Sequence, residues 1–348
     1  MNAEWSAFLA QAGAVLAADG VSHFGHPGSE TRAALAGDIR CDLSHRGLIA
    51  ARGPDTESFL QGQLTCDVRQ VTPDHGLLGA FCSPRGRALA IFRLFRHEDA
   101  YLLELPRAMV EPTLSRLRKY VLRAKTTLED ASDALARMGL AGPNAPAALE
   151  RVLGAAPERA NDVFSRHLTV VRLPGPTPRF AAHGATPDVR RLWEALGPEF
   201  APVGAESWRL LEILAGTPMV YPETVDAFVP QMLNLQWLGA IGLQKGCYTG
   251  QEVVARTHYL GKLKRRMYLA RVDGPTPPGP GDPLFSPQAD ASQSAGRLVD
   301  ACPHPDGGYA VLAVALIDCA EHGTLRLGDA SGPALRLEPL PYGFEAAD

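Results

Sequence analysis

The sequence predicts an α+β chain that finishes in a small all-β domain, and three features carry that reading. Residues 76–105 alternate in strand fashion between turn signals. Stretches with apolar residues three and four apart flank them as amphipathic helices. Beyond residue 261 helical periodicity gives way to short β-like runs separated by Gly and Pro.

In chain order, Trp5, Phe8, Leu9, Ala12, Val15 and Leu16 share one helical face and predict a surface helix across the first twenty residues. Glu4, Gln11 and Asp19, with no basic leader, argue against a signal peptide. Asp55 caps a short predicted helix over 55–64 that carries Phe59, Leu60 and Leu64 on one side. Strands follow at 76–82, 87–96 and 100–105, with turns at Pro84-Arg-Gly86 and His97-Glu-Asp99, so they form a three-stranded meander. Val110, Leu114, Leu117 and Val121 then predict a helix with Arg116, Arg118 and Lys119 on its wet side. Helices at 145–153, 188–196 and 205–214, a strand at 168–173 and a Pro-rich turn at 174–178 complete the middle of the chain. In the last part, β-like runs at 267–272, 296–299, 309–317, 324–327 and 334–337 predict a barrel or sandwich beginning near Gly261.

The composition narrows the function classes. The chain has 348 residues, 46% apolar and 21% charged, with a formal net charge of −4. A balance this close to neutral does not favour nucleic acid as a general partner, and no segment has the unbroken apolar length of a membrane span. The six cysteines, at 41, 66, 82, 247, 302 and 319, are never closer than sixteen residues, which excludes a zinc ribbon or a C-x-x-C redox pair. A core this size needs no disulfide staples, so the thiols are expected to be reduced and the protein cytoplasmic. H-E-x-x-H and G-x-S-x-G are absent, the histidines show no i, i+4 pairing, and no metal site is expected.

One segment carries chemistry. In Lys245-Gly-Cys-Tyr-Thr-Gly-Gln-Glu252, Gly246 and Gly250 bracket Cys247 and permit unusual backbone angles or close approach. Lys245, together with a helix opening after Thr249, would favour the thiolate through charge and dipole. The neighbours Tyr248, Gln251 and Glu252 are polar or amphipathic, which is unusual company for a core thiol. A Walker loop is excluded because the lysine precedes the first glycine. Only five of the basic residues are lysines, and three of them, Lys245, Lys262 and Lys264, lie within twenty residues. Lys262, Lys264, Arg265 and Arg266 form a basic run suited to phosphates or carboxylates.

This segment resembles the signature of the YgfZ family of folate-binding proteins, which aid assembly or repair of iron–sulfur clusters and are related to the T-protein, the aminomethyltransferase of the glycine cleavage system. The resemblance extends through Phe59-Leu-Gln-Gly-Gln-Leu-Thr-Cys-Asp-Val68, Cys82-Ser-Pro-Arg-Gly-Arg87, Ala215-Gly-Thr-Pro218, Phe228-Val-Pro-Gln-Met-Leu-Asn-Leu235 and Val253-Val-Ala-Arg256, in order, over about residues 40–270. It implies three domains ringed around a central folate pocket. These are a discontinuous mixed domain over 1–50 and 126–261, a ferredoxin-like domain over 51–125, and a C-terminal β-barrel over 262–348.

The resemblance further implies tetrahydrofolate as cofactor, a transiently held iron–sulfur cluster, and iron–sulfur proteins or cluster carriers as partners, with tRNA modification among the family's associations. Cys247 would be the reactive group, with Lys245, Gly246, Tyr248, Thr249, Gly250, Gln251 and Glu252 shaping its loop. Gln231 and Asn234 would contact folate, and Arg256, Lys262 and Lys264 would give the pocket a basic rim. Two departures separate the chain from the aminomethyltransferases. Gly86-Arg-Ala-Leu-Ala-Ile91 lacks their catalytic carboxylate, and Leu214 stands where they place a pterin-binding glutamate, with Glu212 two residues earlier. A folate-dependent aminomethyl or methyl transferase and a non-catalytic RNA- or protein-binding module remain as alternatives.

Overall fold

The computed structural model describes residues 1–259, 261, 263–290 and 294–344. The chain divides into two compact units. The first comprises Met1–Leu60, Val68–Leu77 and Phe92–Leu211; the second comprises Gln61–Asp67, Leu78–Ile91 and Glu212–Asp348.

In the first unit, α1 (Ala3–Gln11) is followed by β1 (Val15–Leu16), β2 (Val21–His23), α2 (Pro27–Ala36), β3 (Ile39–Asp42), β4 (Arg46–Arg52) and α3 (Thr56–Gln61). The predicted N-terminal helix is thus shorter than its apolar stripe. Gly13 turns to φ +91° after the last helical turn, and Val15 and Leu16 leave the helix to pair with Val21–His23, largely exposed.

The predicted meander is present as β5 (Leu77–Cys82), β6 (Ala88–His97) and β7 (Ala100–Pro106), followed by α4 (Val110–Arg118), β8 (Thr127–Asp130), β9 (Ala136–Ala141) and α5 (Ala145–Leu153). Then come β10 (Val163–Ser165), β11 (Leu168–Leu173), β12 (Arg179–Gly184), α6 (Thr186–Ala195), β13 (Ala201–Val203) and α7 (Ala205–Leu214). Two sheets result, with strand orders β5-β6-β7-β4-β8 and β10-β11-β12-β9-β3-β13.

Period-two alternation sorts the six-stranded sheet of this unit into two faces. Met138, Leu140, Val170 and Phe180 pack under α1, α5 and α6 with Trp5, Leu149 and Trp193. On the opposite face Cys41, Val171 and Ala181 join Leu48, Ala50, Phe95 and Leu102 of the other sheet. Gly139 lies here because a Cβ would come within 2.5 Å of the Trp208 ring. This inner layer also holds a buried charge network in which His183 Nε2 lies 2.5 Å from Glu104 Oε2. Burial alone would raise the Glu104 carboxyl. The His183 hydrogen bond and charge, together with Arg46 and Arg93, outweigh burial and hold it down at about 2.

The second unit is dominated by a curled six-stranded antiparallel half-barrel. After α8 (Gln251–Tyr259) it is built from β14 (Arg265–Val272), β15 (Pro283–Phe285), β16 (Gly296–Pro303) and β17 (Tyr309–Leu316), then α9 (Ile317–His322), β18 (Arg326–Leu327) and β19 (Leu335–Glu338). The strand order is β18-β15-β16-β17-β14-β19, and a bridge between Arg326 and Ala334 joins its two ends. Ala270, Leu298, Val311 and Ala313 fill its interior. The short helix α9 interrupts the predicted β texture and takes Ile317 out of the strand expected over 309–317. No helix among the described residues is long and apolar enough to cross a membrane.

Candidate functional site

The Cys247 loop belongs to the second unit and is fastened at both ends. On its N-terminal side Lys245 is buried, and its ammonium donates to the carbonyls of Leu64 (2.6 Å) and Cys66 (2.8 Å) while lying 5.0 Å from the Tyr248 ring centroid. The segment 61–67 that supplies these carbonyls is itself held by Thr65, whose hydroxyl donates to Ala240 O at 2.7 Å and accepts from Ala80 N at 2.8 Å. Lys245 therefore ties the loop to residues 64–66, a different task from the thiolate stabilisation that adjacency in sequence suggests.

On the C-terminal side, Tyr248 N donates to Gln251 Oε1 (3.2 Å) and Gln251 N donates to Tyr248 O (3.1 Å), closing the first turn of α8. Thr249 Oγ1 approaches Gln63 Oε1 at 3.4 Å. Gly250, at φ +82°, packs against the turn Ser83–Arg87, where a Cβ would meet Ser83 O at 2.4 Å. Gly86 in turn faces Val253, 2.6 Å from where its own Cβ would stand. Gly246 differs from its partner: it has no left-handed φ and open space around it.

Between these anchors Cys247 is exposed, whereas Cys41, Cys66, Cys82, Cys302 and Cys319 are all buried. Burial pushes the Cys66 and Cys82 thiols up to about 12, with the charge of Lys245 pulling Cys66 the other way and that of Asp226 adding to the rise at Cys82. Burial also raises the Tyr248 phenol far above its usual range. Glu252 and Arg256 are exposed on α8. Among the described residues no group of three or more His, Cys, Asp or Glu side chains is gathered for a metal ion.

A cavity of about 690 Å³ opens in the same unit. Gln231, one of the expected ligand contacts, lines it beside Gln236, Trp237, His258, Arg266 and Phe344. Gln231 Nε2 donates to Val254 O at 2.6 Å, linking this wall to α8. The Oε1 atoms of Gln231 and Gln236 are buried without a hydrogen-bond partner among the described residues. Arg266 stacks 4.1 Å from the Phe344 ring centroid, donates to Tyr268 Oη at 3.1 Å and pairs with Glu321.

Asn234, the other expected contact, is fully buried and spent on the protein. Its Nδ2 donates to Met267 O (2.9 Å) and Tyr342 Oη (3.3 Å), and its Oδ1 accepts from Met267 N (3.3 Å). Arg256 and Lys264 are not among the residues around this cavity, and Lys264 borders a separate open pocket with Asp318 and Glu321. Lys262 lies outside the described residues. The cation that does line the cavity, Arg266, was legible only as one member of a basic run.

A carboxylate far away in sequence also approaches the Ser83–Arg87 turn. Asp226, at φ +59°, accepts from Ser83 Oγ at 2.8 Å and pairs with Arg85. Glu212 is buried at the end of α7.

Residues 21–172 match the family model described as the GCVT N-terminal domain. Over 304 residues the chain is 35% identical to "tRNA-modifying protein YgfZ" of Sodalis glossinidius, covering 87% of this chain and 92% of that one. The chain belongs to the YgfZ family. The Klebsiella pneumoniae member is 34% identical over 88% of this chain and 93% of its own length, and Escherichia coli members are 33% identical over 87% and 93%. The YgfZ-family fold is shared with the glycine cleavage system aminomethyltransferase T from Bartonella henselae, with a TM-score of 0.79 at 18% identity over 98% of this chain and 97% of that one.

Proposed function

We propose that this YgfZ-family chain binds tetrahydrofolate and supports assembly or repair of iron–sulfur clusters, with Cys247 as its reactive group. The observation that carries this reading is the selective exposure of one thiol in six, on a loop fixed at both ends. Once deprotonated, such a sulfur can give its electron pair to an electrophilic carbon or sulfur, displacing the group bound there, or to iron at the edge of a client's cluster. Since three or more metal-binding side chains are not gathered among the described residues, the remaining ligands of a docked cluster would come from the client.

The cavity beside Gln231 suits a folate. A pterin offers amino and ring N–H donors, and the unpaired Oε1 atoms of Gln231 and Gln236 are two acceptors. Trp237 and Phe344 provide aromatic surface, and Arg266 provides a cation for the glutamate tail. Bound tetrahydrofolate would supply a nitrogen able to carry a one-carbon unit. The residues around it orient the ring and keep water from it. Cytoplasmic placement, iron–sulfur proteins as clients and a contribution to tRNA modification, for which the relatives are named, belong to the same proposal.

Complementation tests the thiol: in a strain lacking its own family member, the native chain should restore iron–sulfur enzyme activity and Cys247→Ala should not. Full rescue by both Cys247→Ala and Cys247→Ser would sink the role given to sulfur. Titration with tetrahydrofolate, read as a thermal shift, tests the cavity, and Gln231→Leu should weaken binding by about tenfold. Turnover of an aminomethyl donor would move the assignment to a transferase.

A further inference from the structure

The turn that follows α4 gathers cations without neutralising them. From Pro112 to Leu128 the chain carries Arg116, Arg118, Lys119, Arg123 and Lys125 and no acidic residue. Several surface arginines of this unit have acidic partners: Arg52 pairs with Asp99 and Glu129, Arg107 with Asp133, Arg190 with Glu194 and Arg191 with Asp188. Others, such as Arg32 and Arg151, stand unpaired among the described residues but singly, not in a cluster of five. None of the five around the α4 turn forms an ion pair among the described residues. The nearest exception is not one, because Asp55 Oδ2 accepts the backbone N–H of Lys125 at 2.7 Å rather than its ammonium.

Helix chemistry explains part of this. Arg116 and Arg118 sit in the last turn of α4, where cations complement the helix dipole, and Arg118 also donates to Leu128 O at 2.9 Å. Lys119, the C-cap residue, shares in that dipole, but Arg123 and Lys125 lie beyond the helix and gain little from it; all three are exposed. Two apolar side chains are displayed among them. Tyr120 is 38% exposed, and Leu122 is 87% exposed at φ +45°, a left-handed conformation that leucine seldom adopts. Three mutually repelling charges, an aromatic ring and a strained turn are a costly arrangement for a surface with no partner.

We propose that this turn is a contact surface for the phosphate backbone of RNA, with Tyr120 as a stacking platform for a base. Closely spaced, unpaired cations interleaved with an exposed aromatic are the chemistry that binds unpaired nucleotides. A lipid surface fits less well, because α4 turns its apolar residues Val110, Leu114 and Leu117 into the interior and leaves Leu122 and the rim of Tyr120 as the exposed apolar surface, less than an amphipathic face. The net charge of −4 is no objection, since the contact is local, and its residues belong to the first unit whereas Cys247 belongs to the second. This inference therefore stands or falls independently of the folate reading.

The test is anisotropy titration of the full chain with unfractionated tRNA and with an unstructured RNA oligomer at low salt. The triple variant Lys119→Glu, Arg123→Glu, Lys125→Glu should bind at least about tenfold more weakly. It should also flatten the salt dependence by about 2 in log–log slope, from three lost phosphate contacts. The charge-preserving triple Lys119→Arg, Arg123→Lys, Lys125→Arg should bind as the native chain does. Tyr120→Ala should weaken the unstructured oligomer more than duplex RNA. All three altered cations are exposed, so unchanged circular dichroism and melting temperature would confirm that the fold persists. Undiminished binding by the Glu triple, or no RNA binding by the native chain, would overturn the proposal, as would equally tight binding of polyglutamate or phosphatidylglycerol vesicles through the same residues.

Discussion

The ammonium of Lys245 caps the main-chain carbonyl of Leu64 at 2.6 Å, and through it the loop carrying Cys247 is fastened to a segment about 180 residues earlier in the chain. A buried ammonium that serves two carbonyls acts as a structural tie. Lys245→Met should lower unfolding stability by about 1–3 kcal/mol, because it strands the carbonyls of Leu64 and Cys66. Urea denaturation measures that loss. The rate of Cys247 alkylation at neutral pH should hardly change; a large slowing would restore the electrostatic role that sequence adjacency suggests.

The two glycines bracketing Cys247 should respond oppositely to the same substitution. Gly250→Ala places a methyl group 2.4 Å from Ser83 O on a left-handed backbone, at a cost of roughly 2–4 kcal/mol. Gly246→Ala meets nothing within 4 Å and should be neutral to within about 0.5 kcal/mol. Thermal denaturation of the two variants side by side decides this, and equal melting temperatures would contradict the geometry.

Asn234 should prove structural. Its φ of +59° suits Asn or Gly, and its amide bonds both the N–H and the carbonyl of Met267 in β14. Asn234→Gly keeps the backbone and loses the hydrogen bonds, at about 1–3 kcal/mol. Asn234→Ala should lose more, through added left-handed strain. Binding titrations with tetrahydrofolate on whatever fraction remains folded should find affinity close to native, whereas a selective loss of affinity without loss of stability would return Asn234 to the ligand.

The buried Glu104 predicts a shape for the acid limb of the stability curve. Its carboxyl titrates near 4.5 when unfolded and at about 2 when folded, so between these values the unfolded chain binds the extra proton. Its stabilisation is complete above pH 4.5 and is lost as pH falls towards 2. Glu104→Gln leaves Arg46 and Arg93 without their carboxylate and should cost about 3–5 kcal/mol at neutral pH. It should also flatten the stability profile through that acid window. Urea midpoints collected from neutral pH down to pH 3 provide the check, and an equally steep acid limb in the variant would remove Glu104 from the account.

Elements with one wet and one dry side were legible. The helices α4 and α5 stand where periodicity places them, because local pattern and tertiary burial agree; α7 and the almost wholly buried β11 also stand where their apolar spacing places them. The strands β9 and β12 were not, since they are buried on both faces and their inner face carries Arg137, Arg179 and His183, which break the apolar alternation. At the site, the Cys247 loop declared itself through two glycines and polar neighbours. The tasks of Lys245 and Asn234 did not, because each is defined by a partner far away in sequence, Leu64 in one case and Met267 in the other. Proximity in sequence also favoured Lys264 over Arg266 for the cavity, but Lys264 precedes β14 and borders a different pocket, while Arg266 lies within the strand and lines the cavity.

Tyr342 Oη donates to Gly216 O at 2.9 Å, and Phe344 two residues later forms part of the cavity wall. The half-barrel, by contrast, has its last strand in place by Glu338. A chain cut just after that strand would keep all six strands of the half-barrel but lose Phe344 from the cavity wall and the Tyr342 bonds to Gly216 and Asn234. Screens for loss of function should accordingly recover stop codons between Glu338 and Phe344, and an immunoblot would show whether their product accumulates.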